Sequence, residues 1–189
     1  LVVANGHVDN PPGNPKPYHM RPQFFLNTGA GQFVEARPES LGSYFVTEHL
    51  GRGLARLDFD RDGREDVVVS HLDAPAALLR NTTRRPGHYL TVRLHGTKSA
   101  RDAIGATVTL TAGDQTWTKQ LTAGDGYQAR NERQLFGLGS RTNVDQLRVR
   151  WPLGDIQTFD NPPSGQIIEV TEGDAEFRIL PRPAAEASP

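Results

Sequence analysis

The chain has 189 residues, with 21 Lys and Arg against 22 Asp and Glu. The net charge of −1 gives no electrostatic reason to expect nucleic acid or an anionic membrane as partner. No run of about 18 apolar residues is present to span a bilayer, and no cysteine is present to form a disulfide, a zinc thiolate or a thiol nucleophile.

Frequent glycine and proline suit short strands joined by turns, in one domain or two small ones. The first residues, Leu1-Val2-Val3-Ala4-Asn5-Gly6-His7, read as an apolar strand entering a turn. The chain starts inside that strand with no initiator Met or signal segment, which reads as a fragment of a longer protein. Asn10 to Pro17 is Pro-rich and predicts an extended loop. Phe24 to Gly29 and Gly31 to Glu35 are short strands, and residues 38–53 read as loop or weak strand.

Leu54-Ala55-Arg56-Leu57 then leads into Asp58-Phe59-Asp60-Arg61-Asp62-Gly63-Arg64-Glu65-Asp66. Carboxylates stand at loop positions 1, 3, 5 and 9, with glycine at position 6 and the Arg64 carbonyl at position 7. Alternate residues of such a loop turn oxygens inward, which suits a hard cation such as Ca²⁺, and Gly63 permits the sharp turn. Four carboxylates this close repel one another unless a cation neutralises them. An EF-hand loop needs Glu at position 12 and a helix after it; here position 12 is Val69, and Val67-Val68-Val69 reads as a buried strand. A cation in a loop that feeds a strand is expected to be structural rather than a sensor.

Two stretches repeat. Leu1 to Asn5 is similar to Val67 to His71, and Phe25-Leu26-Asn27-Thr28 to Leu79-Arg80-Asn81-Thr82. Equivalent copies imply an earlier metal loop ahead of Leu1. The acidic loop running into Val67-Val68-Val69, together with Leu26 to Phe33, resembles the FG-GAP/VCBS repeats of β-propellers. The resemblance implies a calcium loop between the first strands of a blade, with Asp58, Asp60, Asp62, the Arg64 carbonyl and Asp66 as ligands. It covers roughly the first 82 residues, fewer than two blades, which implies a partial propeller rather than a closed ring.

A linker-like stretch, Thr82 to Gly87, separates this region from alternating segments at 88–94, 104–111, 116–121, 144–151, 156–159 and 166–170. Strands at this spacing, the second and third forming a hairpin, predict a β-sandwich or barrel. Gly137-Leu138-Gly139 is read as turn glycines, because no helix follows to hold a phosphate. The segment resembles the ASPIC/UnbV domain, found after FG-GAP repeats in bacterial secreted proteins. Its matching motifs are Gly96 to Ala106, Phe136-Gly137-Leu138-Gly139 and Val149 to Gly154. Ala100 stands where the family has Asn, and the Ser-Gln of its middle motif is replaced around Gln128-Ala129.

The expected architecture is all-β: residues 1–83 a partial, propeller-blade-like, calcium-binding sheet, 88–173 a β-sandwich, and 174–189 a flexible tail. Arg101 and Asp102 are candidates to touch a polar ligand, or alternatively to cap their own loop. Trp151 is expected in the core; Trp117 is a candidate contact surface for a sugar ring or a rim-packing residue. His7 and His71, in near-equivalent places in the two repeats, suggest a repeated turn contact rather than catalysis. The six histidines form no recognised metal spacing, and no Ser-His-Asp order emerges.

The function expected is a non-catalytic, calcium-stabilised extracellular, periplasmic or cell-surface module for adhesion, with a glycan or an extracellular protein as partner. One rival is a carbohydrate-binding accessory domain of a secreted enzyme. Another is an enzyme whose site spans the loops carrying Arg101, Asp102 and Asp125.

Overall fold

The computed structural model describes residues 1–84, 87–124 and 133–181. The described part is all-β and divides into two compact units. Asp125, Gln128, Ala129 and residues 182–189 of the expected tail lie outside it.

The first unit comprises residues 1–56 and 67–80. Strands β1 (Val2–Val3), β2 (Gln23–Gly29) and β3 (Gln32–Glu35) form one antiparallel sheet. Strands β4 (Gly51–Leu57), β5 (Asp66–His71) and β6 (Ala77–Leu79) form another three-stranded sheet. The β2–β3 turn places Gly29, Ala30 and Gly31 at positive φ, which glycine adopts without Cβ strain. Residues 38–53, expected as loop or weak strand, hold a 3-10 turn at Pro38–Ser40, the one-turn helix α1 (Ser43–Val46) and the start of β4. The helix buries Phe45, which meets the edge of Phe24 at 6.4 Å between ring centroids.

The repeat has a structural counterpart. β1 pairs antiparallel with β2, and β5 pairs antiparallel with β6. His7 Nδ1 and His71 Nδ1 each lie within hydrogen-bond distance of a carbonyl in the loop that follows, Asp9 O at 2.8 Å and Pro75 O at 2.7 Å. This is the repeated turn contact expected of the two histidines.

The second unit is a sandwich-like pair of four-stranded sheets, neither closed into a barrel among the described residues. One sheet has the order β10 (Arg133–Gly139), β7 (His88–His95), β13 (Gln166–Thr171), β14 (Arg178–Leu180). Here β7 runs parallel to β13, while the other pairings are antiparallel. The other sheet has the order β12 (Ile156–Asp160), β11 (Gln146–Arg150), β8 (Thr107–Ala112), β9 (Gln115–Gln120), all antiparallel. Period-two alternation sends Val108 and Leu110 of β8 and Leu147 and Val149 of β11 inward, towards Leu90, Val92, Phe136, Ile168 and Val170. Trp151 fills this core at 1% exposure and hydrogen-bonds Gln157 through its indole N–H, as a buried indole requires.

Three expectations change here. Gly137-Leu138-Gly139 closes a strand rather than forming a free turn: Phe136 and Leu138 are buried, and the β10–β7 register shifts between the two glycines. The strand expected from Ile104 starts at Thr107, because Ala103 and Gly105 both take positive φ and leave Ile104 exposed. Finally, β14 extends the first sheet into the stretch expected to be tail, where Phe177 packs on the core and meets Phe159 at 5.8 Å.

Candidate metal centre

The acidic loop joins β4 to β5, yet residues 57–66 cluster with the second unit rather than with the first, where they were expected. Local contacts within that unit account for this. Asp66 is 1% exposed; its Oδ1 accepts the Asn81 amide at 2.7 Å and its Oδ2 the Phe59 amide at 2.9 Å. Asn81 Nδ2 donates to Glu65 O at 3.3 Å, and Arg61 donates to Pro181 O at 3.2 Å. Gly63, at φ +87, lies under the Tyr89 ring of β7, and a Cβ there would collide with that ring. Gly63→Ala therefore combines backbone strain with overpacking, and an expected loss of about 2–4 kcal/mol follows. Urea unfolding checks this; an unchanged midpoint contradicts it.

Within the loop, one carboxylate oxygen each from Asp58, Asp60 and Asp66 lies within 4.8 Å of the others. Oxygens bound to one Ca²⁺ at about 2.3–2.6 Å can be no more than about 5 Å apart, so the three fit a single hard cation. Asp58 Oδ2 accepts the Gly63 amide at 3.0 Å, while its Oδ1 is buried without a hydrogen-bond partner. A buried carboxylate oxygen left so is costly unless something positive meets it. Burial pushes the Asp58 carboxyl above its ordinary value; the Gly63 amide opposes this, and the neighbouring Asp62 and Asp60 add to it. Each Asp66 oxygen keeps a lone pair beyond its amide bond, so Asp66 remains able to bind a metal.

Asp62, expected as a ligand, is turned elsewhere. Its Oδ1 accepts the Arg64 amide at 2.9 Å, and its Oδ2 is paired with the Arg64 guanidinium. The Arg64 side chain also donates to Thr83 O at 3.3 Å, a contact that leaves its backbone carbonyl, the atom expected as a ligand, uninvolved.

The candidate ligand residues of the sandwich are not gathered into a site. Arg101 and Asp102 are exposed in a tight turn where Gly96 N–H donates to Arg101 O at 3.0 Å and Ala103 N–H to Ala100 O at 2.7 Å. Trp117 packs against the core at the sandwich rim, and the Arg141 guanidinium lies 6.0 Å from its ring centroid. Arg141 is itself held by Asp114 at 2.8 Å, so a guanidinium fixed by an ion pair stands over one face of the half-exposed Trp117 ring.

What organises the 97–99 turn is a residue that sequence reasoning passed over. Glu172, 3% exposed at the end of β13, accepts the amides of Thr97, Lys98 and Ser99 at 2.7–2.9 Å through Oε2 and the Ser99 hydroxyl at 2.8 Å through Oε1. Burial pushes its carboxyl up, but the Ser99 amide and hydroxyl with the Thr97 and Lys98 amides outweigh this and hold it at about 2. The sole sequence signal is an acidic residue after a buried strand.

Residues 96–177 match the family model described as ASPIC and UnbV. The ASPIC/UnbV match begins at Gly96, immediately before the 97–99 turn that Glu172 holds, and ends at Phe177 on the sandwich core. Cartilage acidic protein 1 of Xenopus tropicalis is 28% identical over 162 residues, covering 82% of this chain and 24% of that protein. Its Homo sapiens counterpart is 25% identical over 166 residues, covering 82% of this chain and 23% of that protein. The chain thus spans about a quarter of the length of these relatives.

Proposed function

We propose that the chain is a calcium-stabilised, non-catalytic binding module that works outside the cell, its metal held by Asp58, Asp60 and Asp66. The observation that carries this reading is the gathering of one carboxylate oxygen each from Asp58, Asp60 and Asp66 within 4.8 Å, in a loop where Asp58 Oδ1 is buried without a hydrogen-bond partner. Calcium neutralises their repulsion and ties the start of β5 to the loop. Extracellular modules bind Ca²⁺ at about 10⁻⁴ to 10⁻³ M, a range matched to permanent occupancy outside the cell.

The repeated pairings β1–β2 and β5–β6 support the finer reading of residues 1–83 as the end of an FG-GAP/VCBS-type, propeller-like region. The relatives are named for cartilage, which supports an extracellular setting; a protein or glycan partner in adhesion completes the proposal. Calorimetric titration of chelator-stripped protein with CaCl₂ tests the reading. One site in the stated affinity range is expected; absence of binding at 10 mM calcium, roughly ten times the weakest affinity expected, overturns it.

A further inference from the structure

The outer face of the second sheet of the sandwich carries positive charge that the fold leaves unneutralised. Period-two alternation buries Leu147 and Val149 of β11 and turns Arg148 and Arg150 outward, where both are exposed. Among the described residues, neither guanidinium has a hydrogen-bond or ion-pair partner. The outer face of the other sheet is different, because there Arg93 and Arg178 both pair with Glu169. Within the four strands of the β11 sheet the sole carboxylate is Asp160, and the Gln146 amide donates to it at 3.0 Å.

Strand register surrounds these arginines with hydroxyls. Arg148 stands opposite Thr109 of β8 on one side and Thr158 of β12 on the other, and Arg150 opposite Thr107 and Ile156. Strand β9 continues the face beyond β8, with Thr118 opposite Thr109 and Thr116 opposite Thr111. Neighbouring strands lie about 4.8 Å apart and alternate residues about 6.8 Å apart along a strand, so charges and hydroxyls share one continuous surface. Ile156, 49% exposed, is the one large apolar side chain on it; Trp117 alternates to the inner side and packs against the core.

We propose that this face binds an acidic polysaccharide, whose sulfate or carboxylate groups meet Arg148 and Arg150 while its hydroxyls exchange hydrogen bonds with the threonines. This names the partner class within the reading above; it rests on the extracellular binding role and not on the metal. A guanidinium presents a planar fork of N–H donors that fits such anions, and a threonine hydroxyl both donates and accepts, as sugar hydroxyls do. The face lacks what other macromolecules use. A protein partner anchors on large side chains that become buried at the centre of the contact, and Ile156 alone offers an apolar one. Nucleic acid draws its affinity from many phosphate contacts and, when single-stranded, from aromatic stacking; two arginines with no aromatic ring supply neither.

The test is calorimetric titration of the full chain with a chondroitin sulfate hexasaccharide, in native protein and in variants whose melting curves verify folding. Binding is expected, with Arg148→Gln and Arg150→Gln each weakening it about fivefold and the double variant more than tenfold. Joint Thr107→Val and Thr109→Val, which removes hydroxyls and keeps the branched shape, is expected to weaken it about threefold. Arg141→Gln removes the same charge from another part of the unit, and its effect is expected to stay within about twofold. No binding at about 1 mM hexasaccharide overturns the proposal. So does an equal loss from Arg141→Gln, which would show general charge attraction, or equal binding of a polyglutamate peptide, which would leave the hydroxyls without a role. A chain that binds the hexasaccharide and no calcium overturns the metal and leaves this proposal standing; the reverse result overturns this proposal alone.

Discussion

Asp58→Asn is expected to be less stable than the native chain in calcium and equally or more stable in chelator. Without a cation, burial and the neighbouring Asp62 and Asp60 raise the Asp58 carboxyl above its ordinary value. A carboxyl raised by folding is one whose charged form the fold disfavours, so metal-free stability falls as pH climbs through the carboxylate range towards neutrality. The amide removes that penalty while keeping an oxygen for the Gly63 N–H, which now contacts Asp58 Oδ2 at 3.0 Å. With calcium, the native carboxylate gains a ligand bond that the amide makes poorly. At calcium concentrations of about 10–100 times Kd, linkage is worth about 1.4–2.7 kcal/mol, and most of it should be missing in the variant. Denaturant midpoints in the two conditions read the crossing. A variant less stable than native by the same amount in both contradicts it, and points to Asp58 as a simple loop cap. Asp60→Ala is expected to lose the calcium-dependent stability as well, leaving the chelator almost without effect.

Glu172→Gln is expected to cost about 2–4 kcal/mol, because amide donors of Thr97, Lys98 and Ser99 lose a charged acceptor at a buried position. The native chain carries a pH signature of the same interaction. The Glu172 carboxyl is held at about 2 in the fold, against an ordinary 4.5. A depressed carboxyl contributes stability that is fully present above its unfolded value and is lost as pH falls through its folded value. The native protein should therefore lose stability between about pH 4.5 and 2, and Glu172→Gln should show a shallower decline over that window. Urea midpoints at intervals of pH measure both slopes; parallel declines contradict a charged clamp at this position.

These two sites differ in how far the sequence exposes them. The carboxylate cluster of the loop is legible in the sequence because it is local: Asp58, Asp60 and Asp66 lie within nine residues, and the loop brings their oxygens together. Asp62 lies outside that group of three: its oxygens meet the Arg64 amide and guanidinium, and loop spacing does not report a side-chain contact of this kind. Glu172 was not legible at all. Its partners stand 73–75 residues earlier, and an acidic residue before Gly173 looks like any surface turn.

The fold shows the same division. The strands of the second sheet of the sandwich alternate cleanly, so Val108, Leu110, Leu147 and Val149 could be placed inside from pattern alone. β10 was hidden by its glycines, which look like a turn although Phe136 and Leu138 on either side of Gly137 are buried. β14 is three residues at a sheet edge with Ile179 exposed, and its place is set by pairing with β13 rather than by hydrophobic pattern. Parallel pairing of β7 with β13 joins residues more than seventy positions apart, which no local period reports.

The measurement that bears most directly on calcium as the organising ligand is a melting curve of the native chain in 10 mM calcium and again in excess chelator. The account predicts a midpoint roughly 3–10 °C higher with calcium, reversed by chelator, from a linkage of about 1.4–2.7 kcal/mol in a chain of this size. Superimposable curves would contradict it, leaving the three carboxylates as a hydrogen-bonded loop whose stability owes nothing to a metal.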